Sequence, residues 1–333
     1  RIVFLGNGNS VHIQRLSEGL ALKGHAAFIV TTSKFEPYPA IPGVVFRTYD
    51  EQKGMLGKVS QIRSILAEIK PDVIHSHFVN HGGVIGLLTG YHPHLVSAWG
   101  CDILNIPRSS KKMYWLTKLI LKTADGLLPI SNQIKEAMIN ISSGHDFVET
   151  YSWGIDVDHF SFSEESRKTF RRRFRLEGKT VVFSPRTLEP LYRHEYLLEA
   201  WPKIKAENES AVLVFLGKNS DKNYVDGLFK KAAELNISRD DIVIIETLSF
   251  DDLAASYSAC DVLVTLPHTD GTPMTVLEAL STETLVVGFD IPSLREWIVN
   301  NVNGFLVPLA DTDMLARNVV QVLNLPAERK KQI

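Results

Sequence analysis

Two acidic residues and a run of small residues lie close together in the last quarter of the chain. Asp270 and Glu278 are separated by seven residues, with 271–275 directly after the first acid. An apolar, β-branched run precedes them, so the pattern predicts a buried strand, a short polar loop and then a helix. Thr272 is predicted to be the N-cap of that helix, and Pro273 its first helical residue.

The start of this helix has the chemistry of an anion site. The first backbone N–H groups of a helix have no partner within the helix, and the helix dipole is positive there, which favours a phosphate or another anionic group. Glu278 lies one turn below Thr275, and helical side chains lean toward the N-terminus, so its carboxylate is predicted to reach the ligand. A carboxylate offers only acceptors, which suits a vicinal diol such as a ribose.

This segment also resembles a known family. Asp270 and Glu278 match the Glu-x7-Glu motif of the retaining glycosyltransferases of family four, and the resemblance continues through 250–261 and 303–307. It covers the C-terminal half well and the N-terminal half more loosely. It implies an α/β fold of the GT-B type, in which two Rossmann-like domains with parallel sheets face each other across a cleft. The implied reaction moves a sugar, with retention, from a nucleoside-diphosphate sugar to an acceptor hydroxyl of a glycan or a lipid-linked intermediate.

The resemblance implies a role for each residue of this segment. The donor would lie mainly on the C-terminal domain, with its ribose on Glu278 and its sugar hydroxyls facing Asp270. Asp270 is shorter than the usual Glu, so its reach to the sugar requires a water or a shifted donor. Neither a metal nor a cofactor is implied, because the donor is itself the substrate. The residues expected around the diphosphate are Gly271, Thr272, Met274 and Thr275, which supply backbone N–H groups.

A cationic partner for the diphosphate is predicted at Arg186. This residue follows the first predicted strand of the second half, at the carboxyl end where ligands of parallel sheets bind. It matches an arginine that, in the family, neutralises the donor diphosphate together with a lysine a few residues on, and a guanidinium suits that charge. Leu191 stands at the lysine position, and the nearest cation is Arg193. Arg193 either replaces the lysine or is a surface residue preceding Glu195.

The first strand-to-helix loop of the chain contains Gly8, Asn9 and Ser10. It resembles a dinucleotide fingerprint but lacks the third glycine, and the second strand ends without an acid for a ribose diol, which excludes a dehydrogenase. No Walker A sequence occurs, which excludes a P-loop ATPase. In the family this loop borders the donor phosphates and the acceptor, so Gly8 and Asn9 are predicted on the donor side and Ser10 on the acceptor side.

Three further candidates follow strands of the first half. His75 and His77 share one face of a strand, a spacing compatible with a metal, but no other ligand set completes a site. One of them is predicted to border the acceptor site, with His77 as a catalytic candidate, and the other to be a core histidine. The segment around Trp99 resembles a family loop that often carries a His, so Trp99 either stacks on a sugar or packs internally. Asp102 is a second catalytic candidate beside it.

Length and composition predict two domains. A chain of 333 residues exceeds one typical core, and apolar runs alternate with helical periodicity throughout. The predicted N-terminal domain, 1–155, is on the acceptor side, and the predicted C-terminal domain, 156–333, binds the nucleotide sugar. A net charge of −2 gives no drive toward nucleic acid, and the arginine-rich run 171–175 is interpreted as part of a solvated helix.

Cysteine usage and hydropathy predict a cytoplasmic protein. Two cysteines give no disulfide framework, and no apolar stretch reaches the length of a membrane span. The helix predicted at 111–123 mixes four lysines with aromatic and aliphatic residues. It either lies on the anionic inner face of a membrane, where a lipid-linked acceptor would be found, or is half-buried with snorkelling lysines.

Two other classes of protein remain open. A non-hydrolysing nucleotide-sugar epimerase shares the two-domain architecture, and a non-catalytic partner subunit could keep the fold. The second is raised by departures from the family pattern at Trp99, Leu191, Asp270 and 283–285.

Overall fold

Alternating strands and helices form two separate bodies along the chain. The computed structural model describes residues 1–32 and 40–326. It divides into unit 1, Arg1–Trp153, and unit 2, Gly154–Ile333. The division therefore falls two residues before the boundary predicted from the sequence.

Unit 1 contains a six-stranded parallel sheet in the order β3-β2-β1-β4-β5-β6. The strands are β1 (Ile2–Leu5), β2 (Ala27–Thr32), β3 (Val44–Tyr49), β4 (Val73–His77), β5 (His94–Ala98) and β6 (Gly126–Pro129). The helices are α1 (Val11–Leu22), α2 (Met55–Ile69), a π-helix (Phe78–Gly83), α3 (Val84–Thr89), α4 (Cys101–Leu104), α5 (Ile106–Ser109), α6 (Lys111–Thr123) and α7 (Asn132–Ser142). Beyond β6, Val148 forms an isolated bridge with Leu127.

Unit 2 repeats this arrangement in the order β12-β11-β10-β7-β8-β9. The strands are β7 (Thr180–Thr187), β8 (Ala211–Leu216), β9 (Ile242–Ile245), β10 (Val262–Thr265), β11 (Val286–Phe289) and β12 (Gly304–Val307). The helices are α8 (Glu164–Arg173), α9 (His194–Glu207), α10 (Lys222–Glu234), α11 (Phe250–Ala259), α12 (Met274–Ser281), α13 (Pro292–Arg295) and α14 (Thr312–Leu323), with short 3-10 turns at Pro190–Tyr192 and Arg239–Asp241.

In both sheets the strand order reverses beside the first strand of the unit, while all strands stay parallel. This reversal indicates where a ligand can bind. In unit 1 the switch lies between β1 and β4, and in unit 2 it lies between β7 and β10. Ligands of doubly wound sheets bind outside the carboxyl ends of the strands at such a point. The predicted fold class, two Rossmann-like α/β domains with parallel sheets, is confirmed at the level of each unit.

Helix α8 is less solvated than its arginine-rich sequence predicts. Arg167 and Arg171 each bind the Asp261 carboxylate at 2.7 Å, and the Arg171 side chain is only 13% exposed. Burial opposes ionisation of Asp261, but Arg171 outweighs it and lowers the pKa of that carboxyl. The reading of this run as wholly solvated is therefore wrong on this face, because a half-buried carboxylate at the start of β10 requires cations.

Helix α6 is half-buried and has an unusual outer face. Thr117, Ile120 and Leu121 are buried, whereas Trp115 is 62% exposed and Leu119 is 51% exposed. No helix in the described ranges combines the length and the apolar content that a bilayer crossing requires. The exposed apolar side chains of α6 thus lie in a helix whose other side packs in the core of unit 1.

Candidate functional site

The loop that precedes α12 lies at the switch point of unit 2. Helix α12 begins at Met274, and the carbonyl of Pro273 accepts hydrogen bonds from Val276 N–H at 2.9 Å and Leu277 N–H at 3.3 Å. Pro273 is therefore the N-cap, and the prediction that Thr272 holds this position is wrong by one residue. Helical hydrogen bonding starts at the proline carbonyl because proline still has a carbonyl acceptor, although it lacks an N–H.

Only part of the predicted set of amides is available for an anion. The N–H of Gly271 donates to Oδ1 of Asp270 at 2.8 Å, so this group is used within the loop. Met274 and Thr275 donate no backbone hydrogen bond within the described part of the chain, and the buried Oγ1 of Thr275 has no partner there either. These three donors belong to the first turn of an eight-residue helix, where negative charge is favoured.

Arg186 lies near the end of strand β7, and its guanidinium is nearly buried. Nη2 of Arg186 lies 3.3 Å from Oδ2 of Asp270, and each side chain is 15% exposed. The guanidinium also lies over the ring of Tyr192, 4.2 Å from its centroid. Burial alone would lower the pKa of Arg186, but Asp270 and Tyr192 outweigh it and raise the pKa above its ordinary value. The two residues predicted to meet diphosphate and sugar thus lie side by side.

Glu278 is buried in α12 and is held by a tyrosine. The hydroxyl of Tyr257, on α11, donates to Oε2 of Glu278 at 2.7 Å, and the exposed fraction of Glu278 is 7%. Burial first, and then the charge of Glu278, raise the pKa of Tyr257 well above its usual range, so the phenol stays a donor. One carboxylate oxygen of Glu278 is therefore oriented by Tyr257.

Arg193 contacts Glu195 rather than the donor loop. Nη1 of Arg193 lies 3.5 Å from Oε1 of Glu195, and the arginine side chain is 42% exposed. Leu191, at the position of the family lysine, accepts a hydrogen bond from His268 N–H through its carbonyl at 3.2 Å. Arg193 thus has the contacts expected of a surface residue. Leu191, two residues earlier, is bonded to the loop that carries Asp270.

Unit 1 has a cavity of about 650 Å³ at the carboxyl ends of its strands. His77 and Trp99 lie in its wall, together with Asn9 from the first loop. The remaining lining residues are Asn7, Ile13, Thr31, Thr32, Glu51, Phe78 and His81. Three of the residues predicted at the N-terminal site are therefore brought to one cavity.

The two histidines of β4 differ in their hydrogen bonding. Nε2 of His75 lies 2.7 Å from Oγ of Ser97, whereas neither ring nitrogen of His77 has a hydrogen-bond partner among the described residues. Burial, followed by the neighbouring His75 and His12, lowers the pKa of His77 well below its usual value. The described chain contains no cluster of three metal-ligating residues. His77 is thus an uncharged imidazole at the cavity wall.

Trp99 packs against other aromatic residues and also lines the cavity. Its ring meets Trp153 edge-on at 5.2 Å between centroids and lies 5.7 Å from His77, so it is packed in an aromatic cluster. It also lines the cavity, and its buried indole N–H has no hydrogen-bond partner among the described residues.

Asp102 joins two backbone segments of unit 1. It is fully buried, and its carboxylate accepts hydrogen bonds from the backbone N–H groups of Val79, Trp99 and Gly100, each at 2.9 Å. Burial raises its pKa despite these bonds. These contacts connect the segments that follow β4 and β5, and the catalytic role of Asp102 stays a prediction.

The first loop offers less free backbone than its sequence predicts. Gly8 is buried, its N–H donates to Oγ1 of Thr31 at 2.9 Å, and its carbonyl accepts from Nε2 of Gln14 at 2.7 Å. These contacts do not fit the predicted close approach of Gly8 to a ligand. Ser10 is the N-cap of α1 without a side-chain capping bond. Asn9 is the member of this loop that reaches the cavity.

Sequence reasoning missed Tyr257, Tyr192 and His194. Tyr257 lies within the 250–261 segment of the family resemblance, but a tyrosine in an apolar helix cannot be told from core by its sequence. His194, at the start of α9, is buried, and its pKa is lowered to about 3 by burial and then by Arg186. Its ring lies 6.4 Å from that of Tyr192, between centroids.

Two doubly wound domains in one chain, with a helix start and a buried guanidinium at the switch point of the second, are the arrangement expected of the GT-B class. Residues 166–333 match the family model described as glycosyl transferases group 1, and residues 1–132 match that described as glycosyl transferase 4-like. The chain therefore belongs to the group 1 glycosyltransferases, of the family-four type. The resemblance inferred from the sequence is confirmed.

Known relatives span most of the chain. An uncharacterized glycosyltransferase of Methanocaldococcus jannaschii is 27% identical over 339 residues, covering 95% of this chain and 85% of the relative. A phosphatidyl-myo-inositol mannosyltransferase of Mycolicibacterium smegmatis is 24% identical, covering 95% and 81%. The solved structure of Anabaena HepE, a complex with UDP and glucose, has a TM-score of 0.83 at 16% identity and covers 99% of this chain and 91% of its own.

Proposed function

We propose that this glycosyltransferase moves a sugar from a nucleoside-diphosphate sugar to an acceptor hydroxyl of a glycan or lipid-linked intermediate, with retention of the anomeric configuration. The observation that carries the proposal is the buried Arg186 and Asp270 pair beside the first turn of α12. HepE, which has the same fold, was solved with UDP and glucose, which supports a nucleotide-sugar donor.

The donor would lie along α12 and the end of β7. Arg186, the N–H groups of Met274 and Thr275, and the Thr275 hydroxyl would surround the diphosphate, while Glu278 would accept hydrogen bonds from the ribose. Asp270 would face the sugar hydroxyls. It is next to Arg186, so reacting sugar and leaving phosphate would be held as neighbours.

The reaction would be accelerated mainly by electrostatic preorganisation. As the sugar–phosphate bond breaks, negative charge grows on the leaving diphosphate, and a fixed guanidinium with fixed amides stabilises that charge without reorganising. Holding the acceptor oxygen on the same face of the sugar supplies the rest. This scheme uses neither a metal ion nor an obligatory protein nucleophile.

The decisive experiment is a donor panel with product stereochemistry. The protein is incubated with uridine-, guanosine- and adenosine-diphosphate sugars, with and without simple glycosides, and proton NMR follows nucleotide release and the new anomeric signal. We expect retention of the anomeric configuration and a rate that a chelator does not change. Inversion would contradict the mechanism, and a rate abolished by the chelator and restored by a divalent ion would contradict metal independence. An epimer formed without acceptor would favour the epimerase, and nucleotide binding without turnover would favour the non-catalytic subunit.

We further propose that α6 holds the enzyme on an anionic membrane surface. The exposed side chains of Trp115 and Leu119 lie among Arg108, Lys111, Lys112, Lys118 and Lys122, and no acidic residue occurs from 103 to 124. Aromatic and basic side chains on one face are typical of helices that lie in the interface of a bilayer. This basic face would keep the enzyme beside a lipid-linked acceptor.

Vesicle sedimentation tests this contact. Binding to vesicles with phosphatidylserine is expected to exceed binding to pure phosphatidylcholine, and to weaken with salt, since each lysine contributes about 1 kcal/mol near such a surface. Trp115→Ala with Lys111→Gln should reduce binding about tenfold. Leu22→Ala, which changes another exposed leucine of unit 1, is the matched control. Equal binding to both vesicle types would refute the proposal.

A further inference from the structure

The cavity of unit 1 is lined mainly by rings and uncharged polar groups. Its volume of about 650 Å³ lies within the range of small-molecule sites, which is about 300–1,000 Å³. Trp99 and Phe78 supply flat apolar surface, and the side chains of two asparagines and two threonines supply donors and acceptors. An indole has an apolar face and a polar edge, so it suits a ligand that is itself apolar on one face and polar at its rim. A sugar ring has that form.

Two buried groups in this wall have unused hydrogen-bonding capacity. The exposed fraction of His77 is 1%, yet both of its ring nitrogens lack a partner among the described residues, as does the indole N–H of Trp99. Buried polar atoms are nearly always paired, so an unpaired group in a cavity wall needs a partner from outside the chain, either a water molecule or a ligand. A neutral imidazole offers one donor and one acceptor, and a sugar hydroxyl can pair with either.

The backbone beside His77 is strained in a way that serves the cavity. Phe78 has a φ of 68°, which is rare for a bulky residue, and it opens the π-helix. A Cβ at Gly82 would lie 2.5 Å from the carbonyl oxygens of both His77 and Leu5, so this π-turn is packed directly against the sheet. Strained residues and π-turns concentrate at functional sites. The position of Phe78 in the cavity wall is thus enforced by the fold.

The charge of the lining favours an uncharged ligand. Among the lining residues that the structure describes, Glu51 is the one carboxylate, and no lysine or arginine is present. A phosphate or carboxylate entering this cavity would lose hydration without gaining a cationic partner, which is costly. A neutral polyol loses only hydrogen bonds that the wall can replace.

We infer that this cavity binds the acceptor as an uncharged glycoside, with its ring against the indole of Trp99 and a hydroxyl on His77. This rests on the proposed transferase function but adds the chemical class of the acceptor-side ligand. It also assigns Asp102 the task of holding Trp99 in place, since its carboxylate binds the N–H groups of Trp99 and of Val79 behind Phe78.

The test measures acceptor-side binding without any donor. Saturation-transfer NMR and calorimetry compare methyl hexopyranosides and neutral disaccharides with the corresponding hexose 6-phosphates and methyl uronates. Neutral glycosides are expected to bind at least tenfold more tightly than the charged ones. Trp99→Ala should weaken them at least tenfold, while Trp99→Phe, which keeps a ring and loses the N–H, should weaken them by less. Phe147→Ala, at an exposed aromatic residue of unit 1, is the control expected to change nothing.

The outcomes separate this inference from the function it rests on. Tighter binding of the phosphates or uronates, or unchanged glycoside binding in both Trp99 variants, would overturn it. If neutral glycosides bind as expected but no nucleotide sugar is consumed, the transferase proposal fails while the ligand class stands. If donor is consumed only with charged acceptors, the transferase proposal stands and the inference fails.

Discussion

The two units share one sheet topology but differ in the chemistry at the same topological position. At the switch point of unit 2, a nearly buried guanidinium lies against a carboxylate, and a second carboxylate is fixed by Tyr257. At the switch point of unit 1, the cavity wall includes His77 and Trp99, two uncharged rings with unused hydrogen-bonding capacity among the described residues. The difference teaches that one fold can present different chemistry at the same topological position, according to which groups stand at its strand ends.

The same difference appears in how each site tolerates burial. A buried charge is costly unless it is paired, which accounts for the contact of Arg186 with Asp270 and Tyr192. An imidazole can avoid the cost by staying neutral, which accounts for the lowered pKa of His77. Removing a charge from the site of unit 2 and changing the protonation of a buried histidine in unit 1 should therefore have different effects.

The largest effect is expected from Arg186. Arg186→Ala removes the fixed positive charge and leaves Asp270 without its cation, so kcat/KM for the donor should fall by about 10²–10³-fold. Steady-state assays with the preferred donor measure this. Arg193→Ala is the matched control, since that side chain is half-exposed and contacts Glu195, and it should change the rate less than about threefold. Equal losses in both variants would contradict the contrast between the two arginines.

A smaller effect is expected from Glu278. Glu278→Gln keeps the size of the side chain but removes the charge, and hydrogen bonds to a charged group contribute about 1.5–3 kcal/mol, so nucleoside-diphosphate affinity should fall about ten- to a hundredfold. Calorimetric titration measures it. Glu283→Gln, at an exposed position just beyond α12, should bind normally. Normal binding by Glu278→Gln would exclude the ribose role, and binding of neutral glycosides should be unchanged in either case.

The smallest effect concerns acid stability and should be concentrated in unit 1. Burial is the main cause that lowers the pKa of His94 to about 4, below the value of about 6.5 expected in an unfolded chain. Between these values the unfolded state binds the extra proton, so the free energy of unfolding falls as pH falls, by about 1.4 kcal/mol per pH unit for one histidine. Urea unfolding across pH 7 to 4 should show a shallower slope for His94→Gln. An unchanged slope would show that His94 does not contribute.

Much of the architecture could be predicted from the sequence because parallel strands buried on both faces appear as continuous apolar runs. The alternation of apolar runs with helical periodicity indicated such strands, and the family and fold class are confirmed. Strand β12, Gly304–Val307, lies in the segment 303–307 that carries part of the family resemblance, but it was not identified as a strand. The π-helix has no sequence pattern of its own, so it could not have been predicted.

The sequence predicted which residues belong to the candidate site better than it predicted the contacts between them. Asp270 and Arg186 were identified separately, and only the fold shows that they are adjacent, since 84 positions separate them in the numbering. Asp102 was selected because it is an acid near Trp99, but its partners include Val79, on another strand end. Spacing reveals neighbours within one element, whereas pairing between elements depends on tertiary packing. The roles assigned to these residues stay predictions.

The three amides gathered on the Asp102 carboxylate make two loops mechanically dependent on each other. The N–H of Val79 binds Oδ2, and the N–H groups of Trp99 and Gly100 bind Oδ1, so a substitution that shifts the segment after β4 is expected to move this carboxylate and the turn after β5 with it. Attempts to re-engineer which compounds this protein accepts should therefore diversify both turns together, because libraries confined to one of them would sample mostly distorted versions of the other.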